Sequence, residues 1–99
     1  MKNTEIKQTN FVIGAGAGQG DYKVGLGQEN TWDIGDRFNA PEHWQVKAVW
    51  YEVVDAIQEY PRFRRINLVP RGNDVDLNVC GGSENAQIQI AAFALYDAM

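Results

Sequence analysis

The sequence predicts a single α+β domain, in which an antiparallel sheet of about five strands carries one long helix packed on one face. Two observations predict this class. Apolar side chains recur at helical spacing over about residues 40–60, whereas the segments before and after alternate polar and apolar residues with the period of a strand. The expected order of elements is β-β-α-β-β-β. No repeat or linker divides residues 1–99, so one domain is expected.

The first two strands are predicted on either side of a glycine-rich segment. Residues 4–15 and 21–28 alternate like strands, and the glycines within residues 16–20 predict a long, loose hairpin between them. A phosphate-binding loop needs a helix directly after its glycines, and here a strand is expected instead. The alternative to a simple hairpin is a loop that folds over a ligand or a partner.

The helix is predicted from its two ends and its apolar stripe. Asn39 can cap the N-terminus, and Glu42 three residues later completes a capping box. Pro41 is tolerated in a first helical turn, and Pro61 ends the segment because a proline disfavours helical backbone in the residue before it. The residues on the predicted core face are Val46, Val49, Trp50, Val53, Ile57 and Tyr60.

The opposite side of this helix carries Trp44, Ala48 and Tyr51, where a solvent-facing helix would be polar. Three explanations are open: a covering loop formed by residues 32–38, a second subunit, or isolated exposed aromatic residues. We take the second as the working hypothesis because interface cores are rich in aromatic residues. These three residues are therefore the predicted interface of a homo-oligomer, with a dimer as the first expectation, or of a complex with another protein.

Three further strands are predicted after the helix. Residues 63–69 and 75–79 have the period of strands, and the turn-forming sequences PRGND and GGSEN follow them in order. Residues 86–99 begin with alternating isoleucine and glutamine, which favours a strand. The alanine-rich remainder of that segment is also compatible with a helix.

Composition excludes several classes of protein. The net charge of −4 argues against a nucleic-acid partner, because phosphates require a basic surface. No apolar run is long enough to cross a bilayer, and the N-terminal residues lack the apolar segment of a signal peptide. The single cysteine, Cys80, allows no internal disulfide, which is typical of a reducing compartment. We therefore expect a cytoplasmic protein that binds neither nucleic acid nor membrane.

No motif for catalysis or for a cofactor is present. His43 and Cys80 lack the spacing of a zinc site, and nothing in the sequence brings them together as a catalytic pair. The basic cluster Arg62, Arg64 and Arg65 is interpreted as solvated charge on an edge strand. We expect neither a cofactor nor a metal, assign no catalytic residue, and favour a protein that is not an enzyme.

The sequence thus favours a small interaction protein that self-associates through an aromatic-bearing helix. The alternative is a small-molecule binding module, or a small enzyme, with an aromatic-lined pocket between helix and sheet. Aromatic residues concentrated in the middle of the chain support that alternative. Its candidate ligand-binding residues are Tyr22, Trp32, Asp33, Asp36, His43, Trp50 and Tyr60.

Overall fold

A computed structural model describes residues 4–56 and 62–98, and within these ranges the regular elements are seven β-strands and one short 3-10 turn. The strands are β1 (Thr4–Ala15), β2 (Tyr22–Val24), β3 (Glu29–Asp33), β4 (Trp44–Ala56), β5 (Phe63–Arg71), β6 (Asp74–Gly81) and β7 (Ala86–Ala98). The 3-10 turn covers Gly35–Phe38. The α+β prediction is therefore wrong, since the described chain is nearly all β and holds no long helix packed on a sheet.

β4 occupies the segment predicted as a helix, and two β-bulges explain the helical spacing of its apolar residues. Its pairing with β7 shifts between Val46 and Ala48 and again between Val53 and Asp55. Each bulge inserts one residue, so the side chains on one face follow each other at spacings of two and three. That mixture imitates the apolar pattern of a helix. The many valine and aromatic residues of β4 themselves favour a strand.

Asn39 and the residues after it form turns rather than a helix N-terminus. Asn39 has a left-handed φ of 52° and ends the 3-10 turn Gly35–Phe38. His43 has a φ of 68°, and the N–H of Trp44 donates to the Pro41 carbonyl at 3.3 Å, which closes a turn into β4. The last four residues of the predicted helix, 57–60, lie outside the described part of the chain, and with them Ile57 and Tyr60 of its predicted core face. Pro61, which was predicted to end the helix, lies outside it as well.

The strands form two sheets that pack face to face. The larger sheet has the order β2-β1-β7-β4, and the smaller sheet has the order β3-β6-β5. The edge strand β4 is joined at two points to β5 and to the turn that follows β5. The Val46 N–H donates to the Gly72 carbonyl at 3.0 Å, and the Tyr51 hydroxyl donates to the Ile66 carbonyl at 3.4 Å. These contacts fix how the two sheets lie over each other along one side.

The hairpin predicted between the first two strands is also wrong, because β2 runs parallel to β1. Ile13 pairs with Tyr22, and the register continues in the same direction to the ends of both strands. Parallel strands usually need a longer crossover than residues 16–21 provide. Glycines allow this short return, since a Cβ on Gly14 would lie 2.5 Å from the carbonyl oxygen of Gly18. β2 ends at Val24, so residues 21–28 do not form one strand.

The core lies between the two sheets and is built by alternate residues of their strands. β7 is a strand over its whole length, rather than the helix that its alanines would also allow. Its core-facing residues and those of β6 are buried, and all of them are small or apolar except for one tyrosine hydroxyl. They are Val75, Leu77 and Val79 from β6 and Ala86, Ile88, Ile90, Ala92, Ala94 and Tyr96 from β7.

Candidate interaction surface

The larger sheet has a second face, which turns away from the smaller sheet and which we call the outer face. Residues paired across neighbouring strands share a face. Phe93 pairs with both Gln8 and Trp50, and it alternates with the buried Ala92 and Ala94. The outer face therefore consists of Thr4, Ile6, Gln8, Asn10, Val12 and Gly14 from β1, Lys23 from β2, Gln87, Gln89, Ala91, Phe93, Leu95 and Asp97 from β7, and Gln45, Ala48, Trp50, Glu52 and Asp55 from β4.

Between Ile6 and Gly14 of β1 and between Gln87 and Leu95 of β7, the two central strands contribute no charged residue to the outer face. Charge occurs at its margins, as Lys23 on the edge strand β2, as Glu52 and Asp55 on the edge strand β4, and as Asp97 where β7 ends. The Asp97 carboxylate there accepts a hydrogen bond from the Thr4 hydroxyl at 2.7 Å. Charged residues make up 22% of the chain, so a solvated sheet face would be expected to carry several of them. A charge-free centre with a charged margin is typical of a protein interface.

One half of the outer face is apolar and aromatic. The Trp50 and Phe93 rings stack with centroids 5.5 Å apart and an interplanar angle of 10°. Ile6 and Trp50 keep 61% and 39% of their surface exposed. Leu95 and Ala48 pair with each other beside the stacked rings. These five side chains form a contiguous apolar patch on an otherwise acidic protein.

The other half of the outer face carries uncharged amides on its two central strands and is bounded by the glycine-rich loop. The Gln8 side-chain amide donates to Asn10 Oδ1 at 3.2 Å, which orients two neighbouring amides on β1. The loop of residues 16–20 folds over the end of this face, where the Gln19 N–H donates to Gln87 Oε1 at 3.0 Å. The glycine run therefore packs against the molecule's own sheet.

The predicted interface residues Trp44, Ala48 and Tyr51 do not share a face in this fold. Ala48 pairs with Leu95 and lies on the outer face. Trp44 is half-buried and packs against the core at the start of β4. Tyr51 pairs with Ala92, so it lies on the opposite side of the sheet from Ala48. In a helix these three residues would lie on one face. In a strand with two bulges they do not.

The aromatic residues of the predicted ligand pocket are likewise separated. Tyr22 packs between Phe11 and Trp32, with ring centroids at 5.3 Å and 5.1 Å, and the Arg37 guanidinium lies over the Tyr22 ring at 5.1 Å. These rings fill the space between the sheets and line no cavity there. Trp50 lies on the outer face, and Tyr60 lies outside the described residues. Without a helix, the predicted cavity between helix and sheet does not exist.

The polar residues of that predicted pocket fall at different places. His43 is almost fully exposed, 4.0 Å from the Glu42 carboxylate. Asp36 lines a shallow depression of about 350 Å³ together with Asn39 and Asp74. Cys80 lies near the opposite end of the sheets from His43, so the two do not form a catalytic pair.

Asp33 belongs to an ion-pair cluster that joins the three strands of the smaller sheet. The Arg71 guanidinium lies 3.3 Å from Asp33, 3.8 Å from Asp74 and 3.0 Å from Asp76. The hydrogen bond to Asp76 raises the pKa of Arg71. Burial raises the pKa of Tyr96, and the nearby Asp74 and Asp33 carboxylates add to that increase. Within the described residues no His, Cys, Asp or Glu cluster could hold a metal ion.

The outer-face residues Ile6, Phe93 and Leu95 were missed by sequence reasoning, although one signal for them is present. Residues 86–96 (AQIQIAAFALY) contain no charge at either set of alternate positions. A strand with one solvent-exposed face normally has polar or charged residues at alternate positions. This absence predicts a strand covered on both faces, and only the pairing of β7 with β1 and β4 shows which other residues share its outer side.

Comparisons with protein-family models, with curated proteins and with solved structures find no match to this chain. Across the parts of the chain that the structure describes, no helix is long and apolar enough to cross a bilayer.

Proposed function

We propose that this chain is a small interaction protein without catalytic activity, which associates with a second copy of itself through the outer face of its larger sheet. The observation that carries the proposal is the absence of charge from the centre of that face. An exposed apolar patch on such a face is a typical protein-binding surface. Most of the chain's charged residues lie away from this face.

A second copy is the favoured partner because the face is uncharged at its centre, although each copy carries a net charge of −4. Two acidic molecules repel each other wherever their charged surfaces approach. The outer face is the surface at which two copies meet with the least repulsion, because neither contributes charge at its centre. A two-fold axis through the face pairs the same patch on both copies, which is the commonest symmetry of soluble oligomers.

The size of the outer face also suits a dimer. Strands of this length extend about 40 Å, and β1, β7 and β4 side by side span about 14 Å. Full coverage would therefore bury about 600 Å² on each copy, or about 1,200 Å² in total. That area reaches the lower end of the range for specific, stable interfaces. The stacked Trp50 and Phe93 provide the aromatic anchor that such interfaces usually contain.

Sedimentation equilibrium of the unmodified chain tests this proposal. At about 100 µM protein we expect a mass twice the 11.1 kDa of the monomer. Raising the NaCl concentration from about 0.05 M to about 0.5 M should leave the dimer as tight or tighter, because salt screens the repulsion between acidic copies. A monomer mass at every concentration would contradict the proposal. A dimer that dissociates in salt would point to an ionic interface elsewhere.

A cytoplasmic location is part of the same proposal. Cys80, the single cysteine, is half-buried in β6 and can form no disulfide within the chain. A protein of this kind suits a reducing compartment.

A further inference from the structure

A pocket of about 720 Å³ lies where three segments of the chain meet, away from the outer face. The segments are the turn at Leu26 and Gly27, the start of β5 at residues 62–64, and the turn between β6 and β7 at Gly82 and Ser83. Pockets of this volume hold small organic ligands. The turn at Leu26 and Gly27 was predicted to be part of a strand, so the pocket is not visible in the sequence pattern.

Backbone contacts hold the three segments together. The Gly27 N–H donates to the Gly82 carbonyl at 2.9 Å, which ties the first turn to the third segment. Gly82 packs directly on β5, since a Cβ there would lie 2.6 Å from the carbonyl oxygen of Arg62. The pocket is therefore formed by the fold itself and does not depend on long side chains to bring its walls together.

A bulge in β5 directs side chains toward this pocket. Phe63 pairs with Gly81 and Arg65 pairs with Cys80, so Arg64 is the extra residue between two paired ones. In a regular strand, Phe63 and Arg64 would point to opposite faces, whereas a bulge re-aims one of them. Both side chains line the pocket as a result, with Arg62 beside them.

The bulge also divides the basic cluster into two parts with different partners. Arg65 lies outside the pocket, where its side chain binds the Glu29 carboxylate and donates to Asn78. Arg62 has one weak ion pair, in which its Nε lies 4.0 Å from Glu84 Oε1. Arg64 makes no ion pair within residues 4–56 and 62–98. The three arginines are exposed at the edge strand β5, in agreement with their interpretation as solvated edge charge. Arg62 and Arg64 in addition line one concave site.

We propose that this pocket binds a small organic anion, in which a carboxylate or phosphate group is attached to an apolar group about the size of a ring. The Arg62 and Arg64 guanidiniums bind the oxyanion, because their planar fork of N–H donors matches its oxygens. Leu26 and Phe63 contact the apolar part, and the Ser83 hydroxyl offers a further donor. The site would function equally in a monomer and in a dimer.

NMR titration of the ¹⁵N-labelled chain with phenylacetate and with phenyl phosphate tests this proposal. We expect the amides of Gly27, Phe63, Gly82 and Ser83 to shift, with a dissociation constant on the order of 1 mM or tighter for at least one of the two anions. Which anion binds more tightly decides between carboxylate and phosphate. Neutral phenylacetamide and inorganic phosphate should each bind at least about tenfold more weakly, because each lacks one of the two parts that the pocket recognises.

Replacement of both Arg62 and Arg64 by glutamine should weaken binding at least about tenfold, since the oxyanion then loses both charged partners. The double variant Lys7→Gln with Lys47→Gln is the matched control: it also removes two positive charges, from strands β1 and β4 away from the pocket, and it should leave binding unchanged. Equal binding of phenylacetamide, equal binding of inorganic phosphate, or the absence of shifts at these amides would each overturn the proposal.

Discussion

Replacement of Trp50 by aspartate is expected to raise the dissociation constant of the dimer at least about 100-fold. The variant removes the aromatic ring that stacks on Phe93 and adds a negative charge from each copy to the apolar patch, which itself holds none. A carboxylate buried there without a partner opposes association more strongly than the loss of the ring alone. Sedimentation velocity over a concentration series measures the change.

Val69→Asp provides the matched control for this variant. Val69 is 42% exposed, close to the 39% of Trp50, but it lies on the outward side of the smaller sheet. The change of charge is the same, so a general effect of extra acidity would appear in both variants. Ile6→Asp, at a side chain that is 61% exposed on the outer face, should also dissociate the dimer with little effect on the fold. Equal dimerisation of the Trp50 and Val69 variants would contradict the account.

Replacement of Gly14 by alanine is expected to lower the free energy of unfolding by about 1–3 kcal/mol. The added Cβ would lie 2.5 Å from the Gly18 carbonyl oxygen and 2.9 Å from the Gln19 carbonyl oxygen. Both are backbone atoms of the loop that folds over the end of the outer face, so the collision is relieved only by moving that loop. Alanine also lowers the conformational entropy of the unfolded chain, which stabilises the folded state, but this stabilisation is smaller than the cost of the collision.

Urea unfolding at one fixed protein concentration measures the Gly14 effect, because self-association makes stability depend on concentration. Gly25→Ala is the control. The three atoms nearest to a Cβ on Gly25 all belong to the Gln28 side chain, the nearest at 2.9 Å, and this flexible side chain can move away. Its effect should stay within about 0.5 kcal/mol. A Gly14 variant as stable as the Gly25 variant would show that the loop does not pack on β1 as described.

Local periodicity predicts those parts of the fold in which strands pair without interruption. β6 alternates regularly, and its buried and half-buried residues follow that alternation. β4 does not alternate regularly, because the bulges after Val46 and Val53 change which side chains share a face. Bulges depend on pairing with a distant strand, so no local pattern marks them. Helix-capping signals at Asn39 and Glu42 then reinforced the wrong assignment.

The candidate surface could be predicted only in part for a related reason. The charge-free run of residues 86–96 can be read directly from the sequence and indicates a strand covered on both sides. Trp50, Ile6 and Phe93 come together only because β7 lies between β1 and β4. That order depends on contacts between parts of the chain that are far apart in sequence. The same holds for the arginine pocket, which needs the turn at Leu26 and the bulge at Arg64.

Paramagnetic broadening between two copies tests the central claim most directly. A nitroxide is attached at Glu52→Cys, on the margin of the outer face, in a Cys80→Ser background, and this chain is mixed with unmodified ¹⁵N-labelled chain. The account predicts broadening of the labelled copy's amides on β1 and β7, including Phe93, with none at Val69 on the smaller sheet. Broadening confined to the smaller sheet, or no broadening at concentrations where the chain sediments as a dimer, would contradict it.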